Sequence, residues 1–461
     1  MITHKDEQTI IAQCTPQGSG AIALLRITGS HAIDIADKMA QLSSKKSLKS
    51  VKSHTVHYGS IINDKNEIID KVMFIVMHAP RTFTGQDTVE ITSHNNPFII
   101  QDIINQAIEY GARIAQKGEF AQRAFESGKI DLVQAEAIND LIHAHTQMAL
   151  KKSLQQLEGS FSHWIKSIEN KLTRALAWCQ ASFEFLDEHE QDDTFDEEIK
   201  QTLQALSREI SELKATFNQQ QQIKQGIKIA LVGSVNAGKS SIFNALLNQK
   251  RSIVTDIEGT TRDSVEAGIY RHNNYWTLVD TAGLRQTQDI VEQEGIKRSF
   301  EEAQKADIIL IVFDGSRDLS EQEWSVYKDL IDSYAHKSII IHNKSDLPQS
   351  HDNKLIDKAH LSFSSMSKEG LEELNTLIED RIQDILSKHD SPFLLNQRQY
   401  NLIVGLEQKI KTVIEMVRHT PQYELVSYHL NDALEYITEL TGKTISEAGM
   451  DTVFKEFCVG K

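Results

Sequence analysis

Gly233-Ser-Val-Asn-Ala-Gly238-Lys239-Ser240 is the stretch on which the reading of this chain turns. The apolar run Ile227-Lys-Ile-Ala-Leu-Val232 leads into it and Ser241-Ile-Phe-Asn-Ala-Leu-Leu247 leaves it, so the stretch joins a strand to a helix. Its glycines let the backbone turn N–H groups inward as an anion nest, and the helix N-terminus adds its dipole. Lys239 carries a positive charge toward the outer phosphates of a nucleotide, and the Ser240 hydroxyl is the expected Mg²⁺ ligand.

Three further elements lie outward from this loop. Asp280-Thr281-Ala282-Gly283 closes the strand that contains Trp276-Thr-Leu-Val279, which places a carboxylate at the magnesium end and Gly283 against the terminal phosphate. Asn343-Lys344-Ser345-Asp346 ends the strand Ser338-Ile-Ile-Ile-His342. The Asp346 carboxylate can accept from both guanine N1–H and the exocyclic amine, a pairing that adenine cannot satisfy. Between the first two elements, Gly259-Thr260-Thr261-Arg262-Asp263 brings a threonine, Thr261, to complete the magnesium shell. Four elements in this order predict a GTPase. In Ras-like proteins a glutamine after the second element orients the attacking water, but here that position is Leu284, which neither donates nor accepts. Another group must position the water; Arg262 and Arg285 are the nearby cations.

The same alternation continues through Ile308-Ile-Leu-Ile-Val312, so residues 223–384 read as a Ras-like P-loop domain, doubly wound around a mostly parallel sheet. Residues 1–125 hold short β-type runs such as Ala21-Ile-Ala-Leu-Leu-Arg-Ile27 and Val72-Met-Phe-Ile-Val-Met77, and read as an α+β domain. Helical period takes over in 126–222, where Leu150, Leu154, Leu157, Phe161, Ile165, Ile168, Leu172 and Leu176 recur at three and four, and returns in 385–461. The α/β domain is therefore expected as an insertion into an all-helical one, making the chain multidomain α/β. Only 6 prolines in 461 residues agree with a helix-rich protein.

A formal net charge of −16 argues against a protein that coats DNA or binds membranes through a polybasic surface. Nine carboxylates and no lysine or arginine lie between Glu184 and Glu198, so an RNA-binding face elsewhere stays open. Three scattered cysteines, Cys14, Cys179 and Cys458, form no disulfide framework or zinc site. The longest apolar runs are strand-length and His4-Lys-Asp-Glu7 has no signal-peptide core, which predicts a cytoplasmic protein with no membrane partner.

Several segments resemble the tRNA modification GTPase family called MnmE or TrmE. Asn236 within the phosphate loop, Thr255-Asp256-Ile257-Glu258-Gly259-Thr260-Thr261-Arg262-Asp263 and Asp280-Thr-Ala-Gly-Leu-Arg285 match it in the GTPase core. Beyond the core, so do Arg26 in Leu24-Leu-Arg-Ile-Thr-Gly29, Thr82-Phe-Thr-Gly-Gln-Asp87, Gly118-Glu-Phe-Ala-Gln-Arg-Ala-Phe125, Lys129, Leu132-x-Gln-Ala-Glu-Ala137 and Cys458-Val-Gly-Lys461. The resemblance implies a homodimer that, with the flavin-dependent protein MnmG in a heterotetramer, installs an aminomethyl or carboxymethylaminomethyl group at C5 of the wobble uridine of certain tRNAs. It implies a one-carbon unit from 5-formyl- or 5,10-methylene-tetrahydrofolate held by the N-terminal domain, with Arg26, Glu90, Lys129 and Lys461 as folate contacts.

The resemblance further implies a GTPase assisted by K⁺ and paired through its G domains, with Asn236, Thr255, Ile257 and Thr260 around the potassium ion and Glu292 orienting the water. GTP contacts would then come from Asn236, Ala237, Gly238, Lys239, Ser240 and Ser241, from residues 255–261, from 280–283 and 343–346, and from the guanine loop Ser364-Ser365-Met366. Lys239, Glu292 and Cys458 would be catalytic. The thiol of Cys458 fits a catalytic or redox role in the family, and a neutral packing cysteine is the other reading; as a prenylation box its tail fails, because Gly460 is not aliphatic and Lys461 is not an accepted last residue.

This chain departs from the family pattern at three places. The phosphate loop has Ser234-Val235 for the usual Arg-Pro, the N-terminal domain has His94-Asn95-Asn96 for His-Gly-Gly, and the guanine loop has Ser364-Ser365-Met366 for Ser-Ala-Lys/Arg. Two other readings compete: a ribosome-assembly GTPase of the Era/Der type, which lacks its expected G-x-x-G RNA-binding module here, and a nucleotide-switched scaffold.

Overall fold

The computed structural model describes residues 8–184, 193–247, 253–255, 265–271, 274–280, 300–350, 352–387, 391–418 and 423–460. Two units emerge: Met1–Ile142 with Leu154–Arg208 and Asn401–Lys461, and His143–Ser153 with Glu209–Tyr400.

The first unit contains strands β1 (Ile10–Gln13), β2 (Ile22–Thr28), β3 (Ala40–Leu42), β4 (Thr55–Ile62), β5 (Ile68–Met77), β6 (Thr88–His94) and β7 (Arg113–Ile114). They form one sheet in the order β3-β4-β5-β6-β2-β1-β7, antiparallel except for the β1–β7 pair. Alternation decides which face is covered. Leu25, Ile27, Val72, Phe74, Val76, Val89 and Ile91 point inward, under helices Ala32–Met39 and Pro97–Glu109. The second helix starts where its sequence dictates, with Pro97 in the first turn and the Asn96 side chain accepting from Phe98 N at 2.9 Å.

The opposite face carries Arg26 beside Glu90, with Glu90 paired to Ile75 and Ile75 to Val56. One step along, Leu24 pairs with Thr92, Thr92 with Met73 and Met73 with Tyr58. Val56, Tyr58 and Met73 are exposed.

Chain segments distant in sequence complete this unit. Helix Ser160–Glu184 packs along Tyr423–Thr441, burying Ile165, Ile168 and Leu172 on one side and Val426, Leu430, Ala433 and Ile437 on the other. Burying each leucine or isoleucine contributes about 1.5–3 kcal/mol. Helix Glu447–Phe454 packs on Glu119–Glu126 through Met450, Val453 and Phe454 against Ala121. Gly118 precedes the latter helix with φ 67, and a Cβ there would stand 2.5 Å from Phe454 O, so only glycine permits the approach.

The second unit holds β8 (Ile227–Val232), β9 (Ile253–Thr255), β10 (Val265–Arg271), β11 (Asn274–Asp280), β12 (Ile308–Asp314), β13 (Ser338–Asn343) and β14 (Leu361–Phe363). Their order is β14-β13-β12-β8-β11-β10-β9, parallel from β14 through β11, with β10 antiparallel to both neighbours. Every residue of β12 and β13 is buried, as expected for strands covered on both faces. Helices Lys239–Leu247 and Leu371–Ser387 cover one face and Glu321–Tyr334 the other. Because the central strands are parallel, their C-terminal ends share one edge, where Asp280 stands opposite Leu231, Val232 opposite Ile311 and Asp314 opposite Asn343.

Beneath the sheet, Gln220 is fully buried and spends its amide on three segments. Its Nε2 donates to Leu213 O at 3.1 Å and Ser391 Oγ at 3.0 Å, and its Oε1 accepts from Leu395 N at 2.8 Å. Among the described residues, no helix is long and apolar enough to cross a membrane.

Candidate active site

After Val232 the chain turns through two left-handed residues, Asn236 at φ 62 and Gly238 at φ 95, before helix Lys239–Leu247 begins. Asparagine tolerates that conformation and glycine adopts it without strain. A Cβ on residue 238 would meet Asn343 Nδ2 at 1.9 Å, so the position has no room for a side chain. Asn343 is itself 1% exposed; its Nδ2 donates to Ala237 O at 2.7 Å and its Oδ1 accepts from Ser365 Oγ at 3.3 Å. One amide therefore fastens the phosphate loop to the two segments expected around guanine.

Lys239 is buried, with Nζ donating to Gly233 O at 2.8 Å and Ser234 O at 2.9 Å. Burial lowers its pKa, and the Asp280 charge opposes that shift. The ammonium is held at the mouth of the nest by carbonyls that a phosphate can replace. Ser240 and Ser241 open the helix at an exposed N-terminus, and Ser240 Oγ donates to Asp280 Oδ2 at 2.8 Å. A hydroxyl and a carboxylate so close are hard oxygen donors, a set that fits Mg²⁺ beside phosphate oxygens.

At the base end, Ser364 Oγ donates to Asp346 Oδ1 at 2.7 Å and Ser345 N to Phe363 O at 3.2 Å. The first bond fixes one carboxylate oxygen of Asp346 and turns the group as a unit. Met366 is 86% exposed and leaves that end open. Lys344, at φ 63, reaches Asp314 Oδ2 at 2.5 Å. Burial pushes the Asp314 carboxyl up, but its bonds to Lys344 and Ser316 outweigh this and hold it below the ordinary aspartate range. Asp314 is not part of any of the four GTPase elements, yet it closes the apolar run Ile308–Phe313 at the edge where such sheets bind ligands, a position that marks it in the sequence.

The helix behind the loop is positioned by its own cap. Ser320 and Glu323 form a capping box, and Glu323 also binds Arg317 Nη2 at 2.5 Å. The Arg317 guanidinium and the Ser320 N–H hold the Glu323 carboxyl at about 2. With a folded pKa below the unfolded value, the pair's stabilisation is complete above the ordinary glutamate pKa of 4.5 and is lost as pH falls toward 2. Arg317 is 42% exposed, so solvent screening reduces the effect. Glu323→Gln is expected to lower stability by about 1 kcal/mol at neutral pH. In chemical denaturation the difference from wild type should shrink as pH drops below 4.5.

Thr255 ends β9, its backbone paired with Gly268. Asp256, Ile257, Glu258, Gly259, Thr260, Thr261, Thr281, Ala282, Gly283, Glu292 and Lys461 lie outside the described residues, as do Arg262, Leu284 and Arg285.

In the first unit, Arg26 Nε and Nη2 each meet Glu90 Oε1 at 2.8 Å across the open sheet face. Arg26 also stacks over the Phe120 ring at 5.5 Å and donates to Gly460 O at 3.4 Å. The tail reaches this point because Lys117 and Val459 form an antiparallel bridge and Gly118 N donates to Cys458 O at 3.4 Å. Cys14 Sγ donates to the same Gly460 O at 3.2 Å. Cys458 is exposed. Lys129 instead reaches the 80–85 loop, with Nζ donating to Pro80 O at 2.5 Å.

A loop with a left-handed glycine and a buried lysine, a hydroxyl–carboxylate pair and an aspartate held by a serine, all on one edge of a doubly wound sheet, are the make-up of a P-loop GTPase, an enzyme that hydrolyses GTP. Comparison with known proteins places the chain more narrowly. Residues 9–129 match the family model for the GTP-binding protein TrmE N-terminus, and residues 132–458 match the MnmE helical domain. The chain is 36% identical to the tRNA modification GTPase MnmE of Lachnoclostridium phytofermentans, over 98% of this chain and 99% of that one. It is also 36% identical to that of Streptococcus agalactiae over 100% of both, and 35% to that of Geobacillus thermodenitrificans over 98% and 99%. Among solved structures, the G domain of the T. maritima FeoB iron transporter matches 34% of this chain and 99% of its own at 26% identity and a TM-score of 0.25. The chain belongs to the MnmE family of tRNA modification GTPases.

Proposed function

We propose that this GTPase acts in the cytoplasm on the wobble uridine of certain tRNAs, adding a carboxymethylaminomethyl or aminomethyl group at C5 together with a flavin-dependent MnmG partner. The observation that carries this reading is family membership along nearly the whole chain, N-terminal region and tail included, rather than in the GTPase core alone. The domain reading follows the same lines: residues 1–125 bind folate and dimerise, 126–222 and 385–461 make the helical domain, and 223–384 hydrolyse GTP.

Arg26, Glu90, Lys129 and Lys461 are the proposed contacts of a 5-formyl- or 5,10-methylene-tetrahydrofolate, which supplies the one-carbon unit when bound. The Arg26–Glu90 pair suits that ligand: the guanidinium can grip a carboxylate of the glutamate tail, and Glu90 can accept from pterin N–H groups. The adjoining exposed Val56, Tyr58 and Met73 are apolar sheet surface of the kind a second copy of the chain covers in a homodimer. Cys458 is proposed as a reactive thiol on a tail delivered to this face.

In the GTPase unit, Ser240 and Thr261 are the proposed Mg²⁺ ligands, with Asp280 behind Ser240. Asn236, Thr255, Ile257 and Thr260 would hold K⁺, which supplies fixed positive charge where phosphate charge develops. The left-handed turn at Asn236, next to the nest, is consistent with that placement. Glu292 is proposed to orient the attacking water, the role that Leu284 cannot fill.

The test compares tRNA nucleosides, by mass spectrometry, from cells with and without the gene. Loss of C5-modified wobble uridine is expected, restored by the native chain and not by Arg26→Ala. GTP hydrolysis by the purified protein should be faster in KCl than in NaCl at equal ionic strength, with the preference lost in Glu292→Ala. An unchanged nucleoside profile overturns the tRNA reading, and equal rates in both salts overturn the potassium role.

A further inference from the structure

Tyr327, on helix Glu321–Tyr334, is 2% exposed, and its hydroxyl joins helix, strand and phosphate loop. It donates to Val312 O in β12 at 2.8 Å and accepts from Ser234 N at 2.7 Å. Ser234 Oγ stands 3.2 Å away. Gly233, one residue earlier, leaves no space between these parts: a Cβ there would lie 2.1 Å from Val312 O and 3.3 Å from the tyrosine oxygen. The carbonyls of Gly233 and Ser234 are the ones that hold Lys239 Nζ. Burial raises the phenol pKa, so the hydroxyl keeps the proton it donates.

A proline at 235 would fix the backbone there, whereas this chain has Ser234 and a 69% exposed Val235. We propose that Tyr327 is a positioning residue for GTP: by accepting from Ser234 N–H it holds the first turn of the phosphate loop in the shape that receives the nucleotide's phosphates. The inference rests on GTP hydrolysis and is independent of the tRNA reading. A loop ordered before binding spares the nucleotide the cost of ordering it, so the hydroxyl acts on affinity and not on the reacting atoms.

Tyr327→Phe in the full chain removes one oxygen and leaves the ring. The KM for GTP is expected to rise about tenfold, and the dissociation constant for GDP by a similar factor, because the part-buried Ser234 N–H loses its acceptor. The kcat at saturating GTP should stay within about twofold, since uniform binding is lost rather than transition-state contacts. Leu330→Val, in the same helix and the same core, separates positioning from mere stability. It should lower the melting temperature and leave KM unchanged.

A Tyr327→Phe protein with unchanged KM overturns the proposal, as does a Leu330→Val protein whose KM rises equally. Should Tyr327→Phe lose its cooperative melt, Ser234→Pro tests the other end of the bond by removing the donated N–H. The same rise in KM is expected there, and an unchanged KM again overturns the proposal.

Discussion

Lys239→Ala is expected to lower kcat/KM for GTP by at least about a thousandfold, because it removes a charge-assisted bond in the ground state and charge stabilisation in the transition state. Nζ sits on Gly233 O and Ser234 O, within the turn that leads into the helix, so little rearrangement separates the charge from the phosphates. Burial works against the ammonium there, and an entering phosphate relieves that penalty. Arginine should not rescue the loss, since a planar fork cannot occupy a site shaped for a compact ammonium. Fold should survive, because the variant deletes the group that desolvation opposes. Steady-state hydrolysis and a thermal melt check both statements; wild-type activity in Lys239→Ala would remove this loop from the reaction.

The second large effect is a change of nucleotide. Asp346→Asn replaces the carboxylate proposed to accept from two guanine N–H groups by an amide that keeps one uncharged acceptor and opposes the other N–H. Affinity for GTP should fall about 10²–10⁴-fold, because one charge-assisted bond of about 1.5–3 kcal/mol is replaced by two opposed donors and the other loses its charge. Xanthosine triphosphate, which presents a carbonyl where guanine has its amine, should become the better substrate. Ser364 Oγ, which donates to Asp346 Oδ1, holds the amide oxygen in that place and leaves the amide N–H₂ toward the base. Competition between GTP and xanthosine triphosphate in single-turnover hydrolysis reads the switch. Retained preference for GTP would show that the base is not held by this carboxylate.

The parts of the molecule legible in sequence are those written in local pattern. The α/β unit could be read because its strands are covered on both faces, so Ile308 to Phe313 stand as an unbroken apolar run, and because the loop after Val232 needs glycine in a fixed place. The N-terminal sheet was legible as α+β from its alternating strands, yet its order, with β1 between β2 and β7, depends on pairings more than eighty residues apart that no local window contains. The same limit hid Tyr327. In a helix of period 3.6 it reads as one more core residue, and only the fold shows that its hydroxyl ends on Ser234. Asn343 was legible as part of a base-binding element, but not as the amide that ties Ala237 to Ser365.

The seam between Lys117 and Val459 also bears on the order in which the protein is made. The sheet begins at Ile10, and the helix Glu447–Phe454 that closes against Ala121 and Leu132 leaves the ribosome hundreds of residues later. Throughout that interval Ala121, Leu132 and Ala135, the apolar positions that Met450, Val453 and Phe454 will cover, lack that cover. The GTP-hydrolysing unit, built almost wholly from residues 209–400, can meanwhile finish and bind its nucleotide. Synthesis thus completes the chain of the nucleotide unit before the last segment of the unit that began first has been made.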